Sequence, residues 1–217
     1  VLSRATGKEV EIFGSGRTDA GVHAMGQVAN FHTEFLLEEE QRVLGCTLKE
    51  YLNEYLPLDI RILSLQKVSD RFHSRLNVKS KKYVYKIDNG EVINPFTRKY
   101  AYYYKKDLNR KLMKEGALYL VGEHDFLGFS SLKKTKKSTV RKISEISIEK
   151  KEEEIQIIIK GNGFLYNMVR IIVGTLLEVG EGKRPPSDIK RILEEKDRNL
   201  AGPTVPPTGL FLYEVDY

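Results

Sequence analysis

Two stretches of the chain alternate their side chains too strictly for anything but extended backbone, and an apolar segment of helical length follows the second. From Lys82 to Asp88, Tyr83, Tyr85 and Ile87 share one side while Lys82, Val84 and Lys86 share the other; from Glu154 to Lys160, Ile155, Ile157 and Ile159 alternate with polar or isoleucine neighbours. Phe164 to Leu177 then runs apolar through helical periods. Half-buried strands need a cover, and an apolar helix needs a sheet to pack on. The pattern therefore predicts an α+β fold with a mostly antiparallel mixed sheet and helices against one face. Further strands are predicted at Glu9–Phe13, Gln27–Thr33, Lys99–Tyr104, Lys142–Lys150 and Leu210–Tyr217. Helices are predicted over Leu36–Leu56, from a cap at Asp107 to Val121, and from a cap at Ser187, after Pro185 and Pro186, to Lys196. Residues 1–105 and 106–217 each mix strands with helices, and no fixed-period repeat is present.

The 217 residues suffice for a sizeable core, and 41% apolar with 30% charged side chains is the balance of a globular chain rather than a disordered one. A net charge of +6 suits an anionic partner without requiring one. A lone cysteine, Cys46, rules out an internal disulfide and a cysteine-based metal cluster, and fits a reducing compartment such as the cytoplasm. His23, His32, His73 and His124 are scattered, with no pair at the spacing of a helical zinc site. The longest apolar run, 164–179, is interrupted by Asn167 and Arg170, so no membrane span is expected.

The densest motif is Gly14-Ser15-Gly16-Arg17-Thr18-Asp19-Ala20-Gly21-Val22-His23-Ala24. It fails as a dinucleotide fingerprint because Asp19 stands where the third glycine belongs, and as a phosphate loop because Val22 and His23 follow Gly21 instead of Lys and a hydroxyl residue. What remains is a carboxylate in a glycine-flanked turn beside Arg17; an ordinary Asx turn gives the same pattern. Phe72-His73-Ser74-Arg75 and Lys79 to Tyr85 interleave basic and aromatic residues, as a base-stacking, phosphate-attracting surface does and as an amphipathic strand also does. Arg170, set in the apolar run, needs an anion: a structural Glu or a catalytic carboxylate. The run Lys133-Lys134-Thr135-Lys136-Lys137 reads as a phosphate clamp or as a solvated loop.

Taken in order, these segments resemble the tRNA pseudouridine synthase A family. Gly16 to Ala24 is similar to its catalytic-Asp motif, Phe72–Arg75 with Lys82–Tyr85 to its second motif, Phe164 with Met168-Val169-Arg170 and Gly174 to its third, and Gly209–Leu212 with Val215–Tyr217 to its C-terminal strand. The resemblance spans essentially the whole chain. It implies two α+β halves sharing one sheet, with a basic cleft between them. Residues 1–105 would carry the Asp19 loop and lack a first strand and part of a helix that precede Val1 in the family; residues 106–217 would carry the basic loop and the Arg170 helix. It implies isomerisation of uridine to pseudouridine at about positions 38–40 of the tRNA anticodon stem-loop, a homodimer, and no metal or organic cofactor. By residue, it makes Asp19 the nucleophile, Tyr83 the ring beside the target base, Arg17 a tRNA contact that helps open the base from its stack, and Arg170 the partner of the carboxylate. Near such a site, Lys133, Lys134, Lys136 and Lys137 would bind RNA phosphates.

That reaction requires the base to leave its stack and be held. A buried Asp needs help to remain ionised, and a nearby guanidinium gives it. The attack point stays open between uracil C6, ribose C1′ and deprotonation at C2′. The alternative is a catalytically silent RNA-binding protein of the same fold, for which a carboxylate in a phosphate groove is a liability.

Overall fold

The computed structural model describes residues 1–33, 43, 45–132 and 137–217. Its elements, in chain order, are α1 (Leu2–Thr6), β1 (Ile12–Gly14), β2 (His23–Ala24), β3 (Ala29–Phe31), α2 (Leu48–Tyr55), β4 (Ser80–Asp88) and β5 (Tyr102–Tyr103). There follow α3 (Arg110–Leu118), β6 (Gly122–Asp125), β7 (Val140–Lys151), β8 (Glu154–Gly161), α4 (Met168–Gly180), α5 (Asp188–Glu195) and β9 (Leu210–Asp216). The chain forms two compact units, one from Val1–Ser15 with Val28–Asn77, the other from Gly16–Gln27 with Val78–Tyr217.

In the smaller unit β1 and β3 pair antiparallel, with Phe13 opposite Asn30. Leu2, Leu48 and Leu52 form its core with Ala5, Val10 and Phe31 against them. Ser74 is fully buried; its N–H donates to Asn30 Oδ1 (2.8 Å) and its hydroxyl to the Phe13 carbonyl (2.5 Å). Within Phe72–Arg75, Ser74 therefore ties the segment to the β1–β3 pair. The helix expected over Leu36–Leu56 is shorter. Residues 34–42 and 44 lie outside the described residues, Val43 and Cys46 bond each other's backbones around Gly45 (φ 87°), and α2 begins only after Thr47, where Thr47 and Glu50 form a reciprocal capping box.

The larger unit is built on a seven-stranded sheet in the order β2-β9-β4-β8-β7-β6, with β5 alongside the end of β4. The pairs β9–β4, β4–β8, β8–β7 and β7–β6 are antiparallel, whereas β2–β9 and β4–β5 are parallel. Tyr83, Tyr85 and Ile87 of β4 stand opposite Ile159, Ile157 and Ile155 of β8, so the two alternating stretches share their inward face. That face, with Met113 and Ala117 of α3 and Met168, Ile171, Ile172, Leu176 and Val179 of α4, makes one core. Eleven of the thirteen residues of α4 are buried, as expected of a helix apolar all round. Residues 201–205 run close along this helix. A Cβ on Gly174 would lie 1.9 Å from the Pro203 carbonyl oxygen, so only glycine allows this approach. No described helix is long and apolar enough to cross a membrane.

Several boundaries differ from expectation: the strands expected at Glu9–Phe13, Gln27–Thr33 and Lys99–Tyr104 are Ile12–Gly14, Ala29–Phe31 and Tyr102–Tyr103, and the helix starts differ too. α3 is capped by Asn109, whose Oδ1 accepts from the N–H groups of Lys111 and Leu112, and not by Asp107. α4 starts at Met168 because Asn167 takes left-handed backbone and holds 164–166 outside the helix. Ser187 precedes α5 but makes no capping hydrogen bond through its side chain.

Candidate active site

The Asp19 loop is closed at its tip and anchored at its base. Val22 N–H donates to the Asp19 carbonyl (3.0 Å) across a turn with Gly21 at φ 80°, the third turn position where positive φ favours glycine. A Cβ on Gly21 would also sit 3.0 Å from Pro207 Cγ. The chain then enters β2, where His23 and Ala24 pair with Phe211 and Leu212 of β9 and the His23 ring stacks on Phe211. Gln27 Nε2 donates back to the Gly16 carbonyl (3.0 Å).

Arg170, in the first turn of α4, reaches this loop. Its Nη1 lies 3.5 Å from Asp19 Oδ2; the arginine side chain is 16% exposed and the carboxylate 38%. Its Nε donates to the Val205 carbonyl (2.7 Å), and Nη1 donates to Asn167 Oδ1 (3.0 Å). The anion that Arg170 meets is therefore no neighbour on its own helix but Asp19, far away in sequence and on a loop of the same unit. An ion pair this exposed adds little stability. Its consequence is directional, since a guanidinium fixed at two other points orients the acid it faces.

Tyr83 completes the cluster. A register shift between Lys82 and Tyr83 in the β4–β9 pairing marks a bulge, a device that re-aims side chains beside sites. The Tyr83 ring packs edge-on to Phe164 at 5.1 Å. Burial, and then the charge of Asp19, push its hydroxyl up to about 12, so it is protonated at neutral pH and is a donor there, not a ready base. Tyr85, two residues on, is buried and donates to the Pro206 carbonyl (2.7 Å).

Asp19, Arg170 and Tyr83 thus come together. Arg17, in the same loop, is exposed and makes no hydrogen bond or ion pair among the described residues. Lys133, Lys134 and Lys136 lie outside the described residues, and Lys137 is exposed. Sequence reasoning missed the Asn167 side chain and the 201–207 strap, whose backbone carbonyls serve Arg170 and Tyr85. The only sign of the strap was its run of prolines at 203, 206 and 207.

The larger unit thus presents a carboxylate faced by a guanidinium and a phenol, and residues 117–217 match the family model described as tRNA pseudouridine synthase. A tRNA pseudouridine synthase A 2 of Bacillus anthracis is 49% identical over 217 residues, covering all of this chain and 86% of that protein. The tRNA pseudouridine synthase A of Bacillus sp. (strain KSM-64) is 48% identical over 219 residues, and the tRNA pseudouridine synthase A 1 of Clostridium tetani 46% over 217, with the same coverage. The class is that of the pseudouridine-forming isomerases. Within it, the chain belongs to the tRNA pseudouridine synthase A family.

Proposed function

We propose that the protein converts uridine to pseudouridine at about positions 38–40 of the tRNA anticodon stem-loop, with Asp19 as nucleophile. The observation that carries this reading is the Asp19 carboxylate held opposite the Arg170 guanidinium at 3.5 Å, with the Tyr83 ring beside them. The reaction breaks the bond from uracil N1 to ribose C1′, turns the base, and joins C5 to C1′; N1 gains a proton and C5 loses one. The everted base stacks on Tyr83, Arg170 keeps the carboxylate aimed, and Arg17 contacts the tRNA as the base opens from its stack. Tyr83, protonated at neutral pH, holds the base by its ring and by donation. The lysines at 133, 134, 136 and 137 bind tRNA phosphates. Family membership supports reading the protein as a cytoplasmic homodimer, with residues 1–105 presenting the Asp19 loop and 106–217 the Arg170 helix.

A silent RNA-binding protein has no use for a carboxylate among cations that serve phosphate, and this favours the enzyme. Asp19→Asn is expected to bind unmodified tRNA with the wild-type Kd and to release no proton from uridine C5 in single turnover. Release at a rate near wild type excludes Asp19 as nucleophile.

A further inference from the structure

Asn167 occupies the capping position of α4 yet does not cap it. Its backbone is left-handed (φ 60°, ψ 4°), a conformation that asparagine, aspartate and glycine tolerate best, and its side chain makes no bond to the first N–H groups of the helix. A capping side chain ordinarily spends its oxygen there. Here Oδ1 accepts from Arg170 Nη1 (3.0 Å) and Nδ2 donates to Ser131 Oγ (3.0 Å). The guanidinium, which can only donate, decides which end of the amide faces it; the serine hydroxyl accepts from the end that remains. A flipped amide would set its NH2 against the guanidinium, donor against donor. On the other edge of the guanidinium, Nε is fixed by the Val205 carbonyl. Two acceptors at separate nitrogens remove the rotation of a planar group about its own stem.

We propose that Asn167 is a positioning residue that acts through Arg170: with the Val205 carbonyl, its amide oxygen sets the guanidinium plane so that Nη1 is directed at Asp19. This rests on the reading of Asp19 and Arg170 as the reacting pair. The left-handed backbone is what lets one side chain precede its own helix and still reach the arginine three residues on.

The test compares Asn167→Gly and Asn167→Asp, both of which accept φ 60°. Glycine removes the acceptor, and aspartate offers a carboxylate that competes with Asp19 for Nη1. Single-turnover pseudouridine formation is measured at saturating unmodified tRNA, wild type first. Each variant is expected to lose about tenfold or more in rate, with the tRNA Kd within about twofold. In an Arg170→Lys background, which lacks the planar fork, the same changes are expected to alter the rate by less than about twofold. If Arg170→Lys is too slow to follow, Ser131→Ala decides, with an expected rate between wild type and Asn167→Gly. Wild-type rates in the variants, losses confined to Kd, or an equal loss in the Arg170→Lys background would overturn the assignment. A wild-type protein that forms no pseudouridine instead removes the functional reading, and this proposal with it.

Discussion

Replacing Gly174 by alanine tests the strap that backs the site. The added Cβ lands 1.9 Å from the Pro203 carbonyl oxygen and 3.0 Å from its carbon, both backbone atoms that cannot swing aside. Reaching even a tight 3.0 Å contact demands that helix and strap part by about 1.1 Å. Among the bonds that tie the strap are Gly202 N–H to Thr175 Oγ1 (2.9 Å), the Val205 carbonyl to Arg170 Nε (2.7 Å), and the Pro206 carbonyl to the Tyr85 hydroxyl (2.7 Å). Overpacking of this kind costs about 1–3 kcal/mol. Each stretched hydrogen bond adds about 1 kcal/mol. With the three named bonds stretched, a total near 4–6 kcal/mol lowers Tm by roughly 8–24 °C for a chain of this size. Thermal unfolding by circular dichroism reads the first effect. Single-turnover pseudouridine formation, run well below the variant's Tm, reads the second: as the Val205 carbonyl retreats, Arg170 loses a fixed point and the rate drops by about tenfold. A Tm within about 2 °C of wild type together with an unchanged rate would refute the reasoning, because it would mean that the strap yields without disturbing anything it touches.

Two further outcomes follow from charge. Burial would raise the Glu181 carboxyl, but hydrogen bonds from Lys106, Tyr104 and Lys183 outweigh it and hold the group at about 2, below its ordinary 4.5. Its stabilisation is therefore present above about pH 4.5 and is lost as pH falls toward 2, so Glu181→Gln is expected to unfold at lower temperature at pH 7 and to converge on wild type across that acid window, as calorimetry would show. Changing Lys133, Lys134, Lys136 and Lys137 together to alanine is expected to weaken tRNA binding and flatten its dependence on salt concentration; an unchanged slope in filter binding would make the run plain solvated surface.

The sheet and its covering helix were legible because period-two alternation and an all-apolar helix are signals carried by many residues at once. Ser80–Asp88 and Glu154–Gly161 fall almost where Lys82–Asp88 and Glu154–Lys160 were read. His23–Ala24 and Gly122–Asp125 were missed because two or four residues cannot display a period, and their pairing is decided by neighbours far along the chain. Phe164–Tyr166 continues the apolar run of α4, so only the left-handed turn at Asn167, which sequence periodicity does not register, moves the helix start to Met168. At the site, Arg170 announced itself as a charge among apolar residues, and a charge so placed must face an anion. The Val205 and Pro206 carbonyls gave no such sign, because every residue carries one and only the fold selects which are used.

β9 lies between β2, which leads out of the Asp19 loop, and β4, which carries Tyr83; the segment just before it steadies Arg170. During synthesis the earlier strands emerge first but lack the partner that would join them. A chain cut before residue 205 would lack both the strand that joins β2 to β4 and the carbonyl that fixes Arg170 Nε.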